Sequence, residues 1–167
     1  MPEIKPLRKS MITAVILFIL DAFILNQGVI AAIALLFVLF GFLPKALSLY
    51  FKKASPGYYL KKSLIYTIMA VGVLGSNYLN NDIARQRAES LTTKIEEYKV
   101  DNGNYPPQLE ELIPKYIDSV PVAKYALGFN RFYYINGKDD VMLLYVHFPP
   151  YGRPMYSFNR KEWTTID

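Results

Sequence analysis

Residues 95–121 read IEEYKVDNGNYPPQLEELIPKYIDSVP, and the fold turns on this stretch. It follows a segment of helical periodicity and precedes a run of short strand-like segments. No Pro or Gly interrupts residues 82–100, and Ala84, Ala88, Leu91, Ile95 and Tyr98 recur at spacings of 4, 3, 4 and 3. That spacing lines them up on one face of a helix. Arg85, Gln86, Arg87, Glu89, Lys94, Glu96, Glu97 and Lys99 fill the positions between. Asp101-Asn102-Gly103-Asn104 ends the helix, because Gly103, and Asn102 as well, accept the left-handed conformation of a helix stop. Tyr105-Pro106-Pro107 then imposes extended backbone. Residues 108–112 predict a helical turn before Pro114, and 115–120 an irregular turn before Pro121.

Beyond Pro121 the pattern changes to β. Strands are expected at 129–135, 141–148 and 155–158, the last with an extension toward Trp163. Asn136-Gly137-Lys138-Asp139-Asp140 has hairpin chemistry, led by Asn-Gly. Pro149-Pro150-Tyr151-Gly152 supplies the next turn. The expected fold is α+β, with a small antiparallel sheet of about three strands covering the apolar face from Ala84 to Tyr98.

Upstream the composition is of another kind. Residues 11–25 and 28–43 are apolar runs separated by Asn26-Gln27-Gly28, and the second continues less strictly to residue 51. Each strict run falls short of the roughly 20 residues that cross a bilayer. Extending them to about 7–26 and 28–50 supplies the length and predicts a transmembrane helical hairpin. Pro44 either kinks its second helix or marks an interfacial end. The first run starts like a signal peptide, but no cleavage motif of small residues follows. A third run, 63–79, begins after Lys61 and Lys62 and leads into the amphipathic helix. The division expected is a hairpin with its basic loop at 1–62, a membrane helix continuing into the amphipathic helix at 63–101, and a loop-and-sheet head at 102–167.

Charge sets the topology. The net charge is +5, yet residues before Ser63 hold eight basic and two acidic side chains, and those from Ser63 onward eleven basic and twelve acidic. The basic excess lies beside apolar segments, which argues for membrane orientation and against nucleic-acid binding. The N-terminus and the loop at 45–62 are assigned to the cytoplasm, and the head to the far side. The chain has no cysteine and one histidine, His147. Thiolate and histidine metal sites and a histidine triad are thereby disfavoured, and a bacterial envelope protein fits. His147 reads as a strand residue partnered by a hydroxyl or carbonyl. Arg153, Arg160 and Lys161 read as a solvated face. Asp21, inside the first apolar run, is a functional candidate by its cost in lipid. The preferred reading is that it reaches the headgroups or caps a neighbouring helix near Asn26.

With these residues placed, a resemblance becomes specific. A helix passing from membrane to solvent and ending in Tyr98-Lys99, Asp101-Asn102-Gly103-Asn104-Tyr105-Pro106 resembles the soluble half of type IV pilin-like proteins. Leu109, Leu112, Ile113-Pro114, Tyr116-Ile117 and Pro121 continue the likeness. It is similar above all to the major pseudopilin of type II secretion, and it covers roughly residues 63–158. Tyr133-Tyr134 and Tyr151-Gly152 with Tyr156 fit that family's aromatic strands. The resemblance implies Tyr98, Asn102, Gly103, Tyr105, Pro106, Leu109, Leu112, Pro114, Tyr116 and Pro121 as structural motif positions. It also implies a calcium-binding possibility, for which Asp139 and Asp140 are the carboxylates available, although an exposed hairpin tip is the simpler reading.

The chain departs from the family at its entry. Gly57 is followed by Tyr58-Tyr59-Leu60-Lys61-Lys62, so the lysines lie on the wrong side of the glycine and the early Glu of the family is missing. This argues against cutting by a prepilin peptidase and against filament assembly. The expectation is a non-enzymatic protein of the bacterial inner membrane, touching lipid and an envelope protein partner and no nucleic acid. It would serve as an accessory or regulatory component of a pilus or type II secretion machine. A membrane-anchored immunity protein or chaperone-like binding module is the alternative, and a transporter or enzyme using Asp21 is a third.

Overall fold

A computed structural model of the chain describes residues 4–148 and 151–166. Pro149 and Pro150, half of the turn expected at 149–152, lie outside the described residues. The chain divides into two compact units, residues 1–78 and 79–167. One uninterrupted helix, Gly57–Asn102, contributes to both.

In the first unit, helix α1 (Ile4–Ile19) passes into a π-helical turn, Leu20–Leu25. Asn26 and Gly28 then take positive φ, 53° and 75°, and reverse the chain. Helix α2 (Val29–Phe37), a second π turn (Val38–Phe42) and helix α3 (Leu43–Phe51) follow in continuity. Pro44 explains that π turn. A proline inside a helix lacks an N–H and crowds the carbonyl four residues back. The wider register, in which the Leu43 N–H reaches the Val38 oxygen, makes room for it. Helix α3 carries the chain through residues 45–51 of the expected basic loop, and residues 52–56 remain as the connector. Pro56 then opens helix α4 (Gly57–Asn102), its carbonyl accepting from the N–H groups of Tyr59 and Leu60. The helix therefore starts ahead of residue 63. Tyr58 to Lys62 contains nothing that breaks a helix, and proline suits its first turn.

The packing of this unit is inverted relative to a water-soluble bundle. Its buried contacts come from Ala14, Ala22, Ala31, Ala34, Ala70, Met69 and Val73. Gly72 lets the Phe18 ring approach closely, since a Cβ there would stand 3.1 Å from it. The large side chains point outward, Phe40 being 78% exposed, with Phe37, Leu36, Ile68 and Val71 also exposed. Among the described residues one helix, Val29–Phe51, is long and apolar enough to cross a membrane, by length and composition, and only 22% of its most apolar window is buried.

In the second unit, helix α4 packs on a four-stranded antiparallel sheet of order β1-β2-β3-β4. The strands are β1 (Tyr133–Asn136), β2 (Val141–Leu144), β3 (Arg153–Ser157) and β4 (Glu162–Ile166). The fourth strand corrects the expectation of about three. Residues 158–161 do not extend β3 but reverse it, with Lys161 at φ 56° and its N–H on the Ser157 oxygen. Trp163 thus returns opposite Tyr156. The strand expected from residue 129 begins only at Tyr133, because Phe129 sits at φ 52°. The strand expected to reach Phe148 stops at Leu144, and a looser ladder continues through Tyr145 N–H to Pro154 O and His147 N–H to Gly152 O. The core joins Ala84, Ala88, Leu91 and Ile95 of α4 to Leu109, Leu112, Phe132, Leu143, Tyr145 and Phe158. Each fully buried leucine in it contributes about 1.5–3 kcal/mol of transfer free energy.

Candidate functional site

The helix-end corner is built from short-range polar contacts on an apolar base. Gly103, at φ 79°, closes α4 with its N–H on the Lys99 oxygen at 2.8 Å. Asn102 Nδ2 donates to the Tyr98 oxygen at 2.8 Å and to the Tyr116 hydroxyl at 3.2 Å. The Tyr116 hydroxyl donates to Asp101 Oδ2 at 2.9 Å, and Lys115 Nζ donates to the same oxygen at 2.6 Å. Those two donors hold the Asp101 carboxyl below its usual range. The rings of Tyr98 and Tyr116 lie 5.6 Å apart. Tyr105 folds back over the helix end, with Lys99 Nζ 4.0 Å from its ring centroid and its hydroxyl on Glu96 at 3.2 Å. Burial raises its phenol.

Pro106 is buried, and its carbonyl accepts from the Tyr134 hydroxyl at 2.9 Å and from Asn136 Nδ2 at 3.0 Å. This fastens the corner to β1. Leu109 and Leu112, on the 3-10 turn Leu109–Leu112, enter the core. Pro114 follows a cis peptide bond. Pro121 lines a cleft of about 390 Å³ with Pro107, Glu110, Arg131 and Tyr134. A second cleft, about 410 Å³, is lined by Arg85, Tyr145, His147, Trp163 and Thr164. The structure thus gathers Tyr98, Asn102, Gly103, Tyr105, Pro106, Leu109, Leu112 and Tyr116 around one helix end.

The remaining sequence candidates lie elsewhere. Asp140 accepts from the Ser157 hydroxyl and from the Asn159 N–H at 3.2 Å, so it pins the β3–β4 turn. These bonds lower its carboxyl, the Ser157 hydroxyl most. Asp139 offers its main-chain oxygen to Asn159 Nδ2 at 2.7 Å. Among the described residues no three His, Cys, Asp or Glu side chains converge as metal ligands would. Arg160 pairs with Glu162 at 3.4 Å on an exposed edge beside Lys161, and Arg153 opens β3. His147 follows β2, its ring 4.5 Å from that of Phe148. Burial and then the nearby Lys124 charge lower its imidazole. Asp21 is fully buried in the first unit, and its two carboxylate oxygens each accept a main-chain N–H at 2.8 Å, from Gly28 and Ala31. It thereby satisfies two N–H groups at the start of α2. Asn26 Nδ2 donates to the Ala22 oxygen at 3.0 Å and to Asn77 Oδ1 at 2.9 Å.

No protein-family model, curated protein or solved structure matches the chain. Three features of the site were not read from the sequence. Lys124 is 1% exposed and donates from Nζ to the His147 oxygen at 2.6 Å. Burial pushes its ammonium down to about 8. Its signal was a lone lysine in the apolar run PVAKYALGF. Arg87, which fills a polar position between the apolar ones of the helix, and Asn80 both bind the loop around Tyr125.

Proposed function

We propose that the chain is a non-enzymatic membrane protein presenting a pilin-like head at the outer face of a bacterial inner membrane. There it serves as an accessory or regulatory component of a pilus or type II secretion machine. One observation carries the membrane part. Alanines fill the inside of the first unit, and leucine, isoleucine and phenylalanine cover its outside. In water this arrangement wastes the hydrophobic driving force, whereas in lipid, small residues let helices approach and large apolar ones face the acyl chains. The capped Asp21 supports the same reading, because a buried acid with both oxygens bonded is tolerable where a free one is not.

The head supports the pilin-like part through its architecture, a long helix on a small antiparallel sheet with the Asn102 to Pro106 corner between them. The N-terminal surroundings favour a fixed anchor over a filament subunit. Gly57 opens α4 with Lys61 and Lys62 after it, and two further apolar helices precede it. The function follows as docking, since a head held at the membrane surface is positioned to contact an assembly in the same membrane. The test is capture of the full-length chain from detergent-solubilised membranes after cross-linking in cells. Recovery of pilus or secretion-machine subunits is expected. Recovery of a single toxin-like partner would replace this reading with that of an immunity protein.

A further inference from the structure

The loop at residues 122–129 is held in a way that points at the membrane. Arg87 Nη1 donates to the Val122 oxygen at 2.8 Å, and the Arg87 guanidinium lies 4.5 Å from the Tyr125 ring centroid and donates to its hydroxyl. Seven residues back along α4, Asn80 grips Tyr125 from both sides: Asn80 Oδ1 accepts the Tyr125 N–H at 3.1 Å, and Asn80 Nδ2 donates to the Tyr125 oxygen at 3.4 Å. At a helical rise of about 1.5 Å per residue, Asn80 lies about 10 Å nearer the apolar run 63–79 than Arg87 does. From Val122 to Tyr125 the chain therefore descends along α4 toward that run, and Asn80 directly follows its last residue, Leu79.

The loop then turns and closes, with the Ala123 N–H on the Asn130 oxygen at 2.7 Å. Leu127 stands at the turn and is 77% exposed, flanked by Tyr125 at 57% and Phe129 at 45%. Phe129 is held at φ 52°, a conformation rare for a bulky residue. Lys124 fastens a second apolar tip to the loop through the His147 oxygen, beside the exposed Phe148 and Tyr151, which pair as an isolated bridge.

We infer that this loop is a membrane-insertion tip. Resting on the membrane reading above, it seats Leu127 in the interfacial layer of the leaflet from which α4 emerges, with Tyr125 and Phe129 at headgroup depth. Aromatic rings with one polar end are favoured there, and an aliphatic side chain gains by leaving water. The occupant is lipid because the loop is fixed at Tyr125 to Asn80, the residue of α4 that directly follows the apolar run. A tip so placed would fix the tilt of the head against the bilayer and thus the surface it offers to partners.

The chain has no cysteine, so Leu127→Cys, Val71→Cys and Val100→Cys each place one thiol-linked fluorophore on an exposed position. Full-length protein is reconstituted in vesicles of phosphatidylethanolamine and phosphatidylglycerol. Emission is then quenched by doxyl groups carried on the lipid or by aqueous iodide. The expected result is loss of most emission to doxyl lipid, with protection from iodide, at Leu127 and Val71, and the reverse at Val100, about 30 Å along α4 from Asn80. A Leu127 label as open to iodide as the Val100 label, with the Val71 label still quenched by lipid, overturns the insertion tip and leaves the membrane reading standing. If the Val71 label is also open to iodide, both fall.

Discussion

Lys124 makes the stability of the head depend on pH in a direction that can be calculated. Its ammonium is fully buried, and burial lowers it from 10.5 to about 8. In the unfolded chain the group keeps its proton to higher pH, so between these two values the unfolded state binds more protons than the folded one. Stability must therefore rise with pH across that window. With 1.36 kcal/mol per unit, the burial penalty is about 3 kcal/mol at pH 7 and about 1 kcal/mol at pH 9.5, a gain of about 2 kcal/mol. The imidazole of His147, itself lowered, acts below this window. The phenols of Tyr105, Tyr134, Tyr145 and Tyr156 are all raised by burial from 10.0, so their opposing effect sets in toward the top of this window and reverses the trend above it. Trp163, the sole tryptophan, packs 5.2 Å from the ring of Tyr156 and reports on the sheet. Urea unfolding followed by its emission, with the full chain in detergent, should show a midpoint higher at pH 9.5 than at pH 7. Lys124→Met should abolish that rise. At pH 7 the variant should change stability little, because relief of the burial penalty is offset by the unpartnered His147 carbonyl, which costs about 1–3 kcal/mol. Equal pH dependence in the two proteins would refute the reasoning.

Three further outcomes are expected. Leu112→Ala removes a fully buried side chain from the core and should cost about 2–5 kcal/mol, read as a lower urea midpoint by Trp163 emission. Gly103→Ala meets no neighbouring atom but must hold φ 79°, so it should cost about 1 kcal/mol of backbone strain alone. Gly103→Asn should recover part of that loss in the same assay. Asp21→Ala strips two main-chain N–H groups of α2 of their acceptors and should destabilise the helical hairpin by about 2–4 kcal/mol. Loss of far-UV circular dichroism on titration with sodium dodecyl sulfate measures this, and Asp21→Asn, which keeps one acceptor oxygen, should fall between.

The parts of the fold that were legible in the sequence are those set by local chemistry. The buried face of α4 follows from the spacing of Ala84, Ala88, Leu91 and Ile95, and its end from a glycine that alone accepts φ 79° without strain. The Asn-Gly turn between β1 and β2 is local in the same sense. What was misread depends on partners far along the chain. Residues 158–161 carry no glycine, so nothing local announced that Lys161 would take positive φ and start a fourth strand. Phe129 shortened β1 for the same reason. Around the corner, the tyrosines were visible as a cluster, but the sharing of Asp101 between Lys115 and Tyr116 is a tertiary fact. The burial of Lys124 and the grip of Asn80 on Tyr125 arise from contacts across 23 and 45 positions of sequence, and no periodicity reports them.

The central claim is a head held outside the cytoplasm by a fixed helical anchor. Paired fusions to the C-terminus test it most directly, one to alkaline phosphatase, active only outside the cytoplasm, and one to a green fluorescent protein that matures only inside. The account predicts phosphatase activity and no fluorescence, with the fusion retained in membranes washed with alkaline carbonate. Fluorescence without phosphatase activity, or a fusion released by the wash, would contradict it.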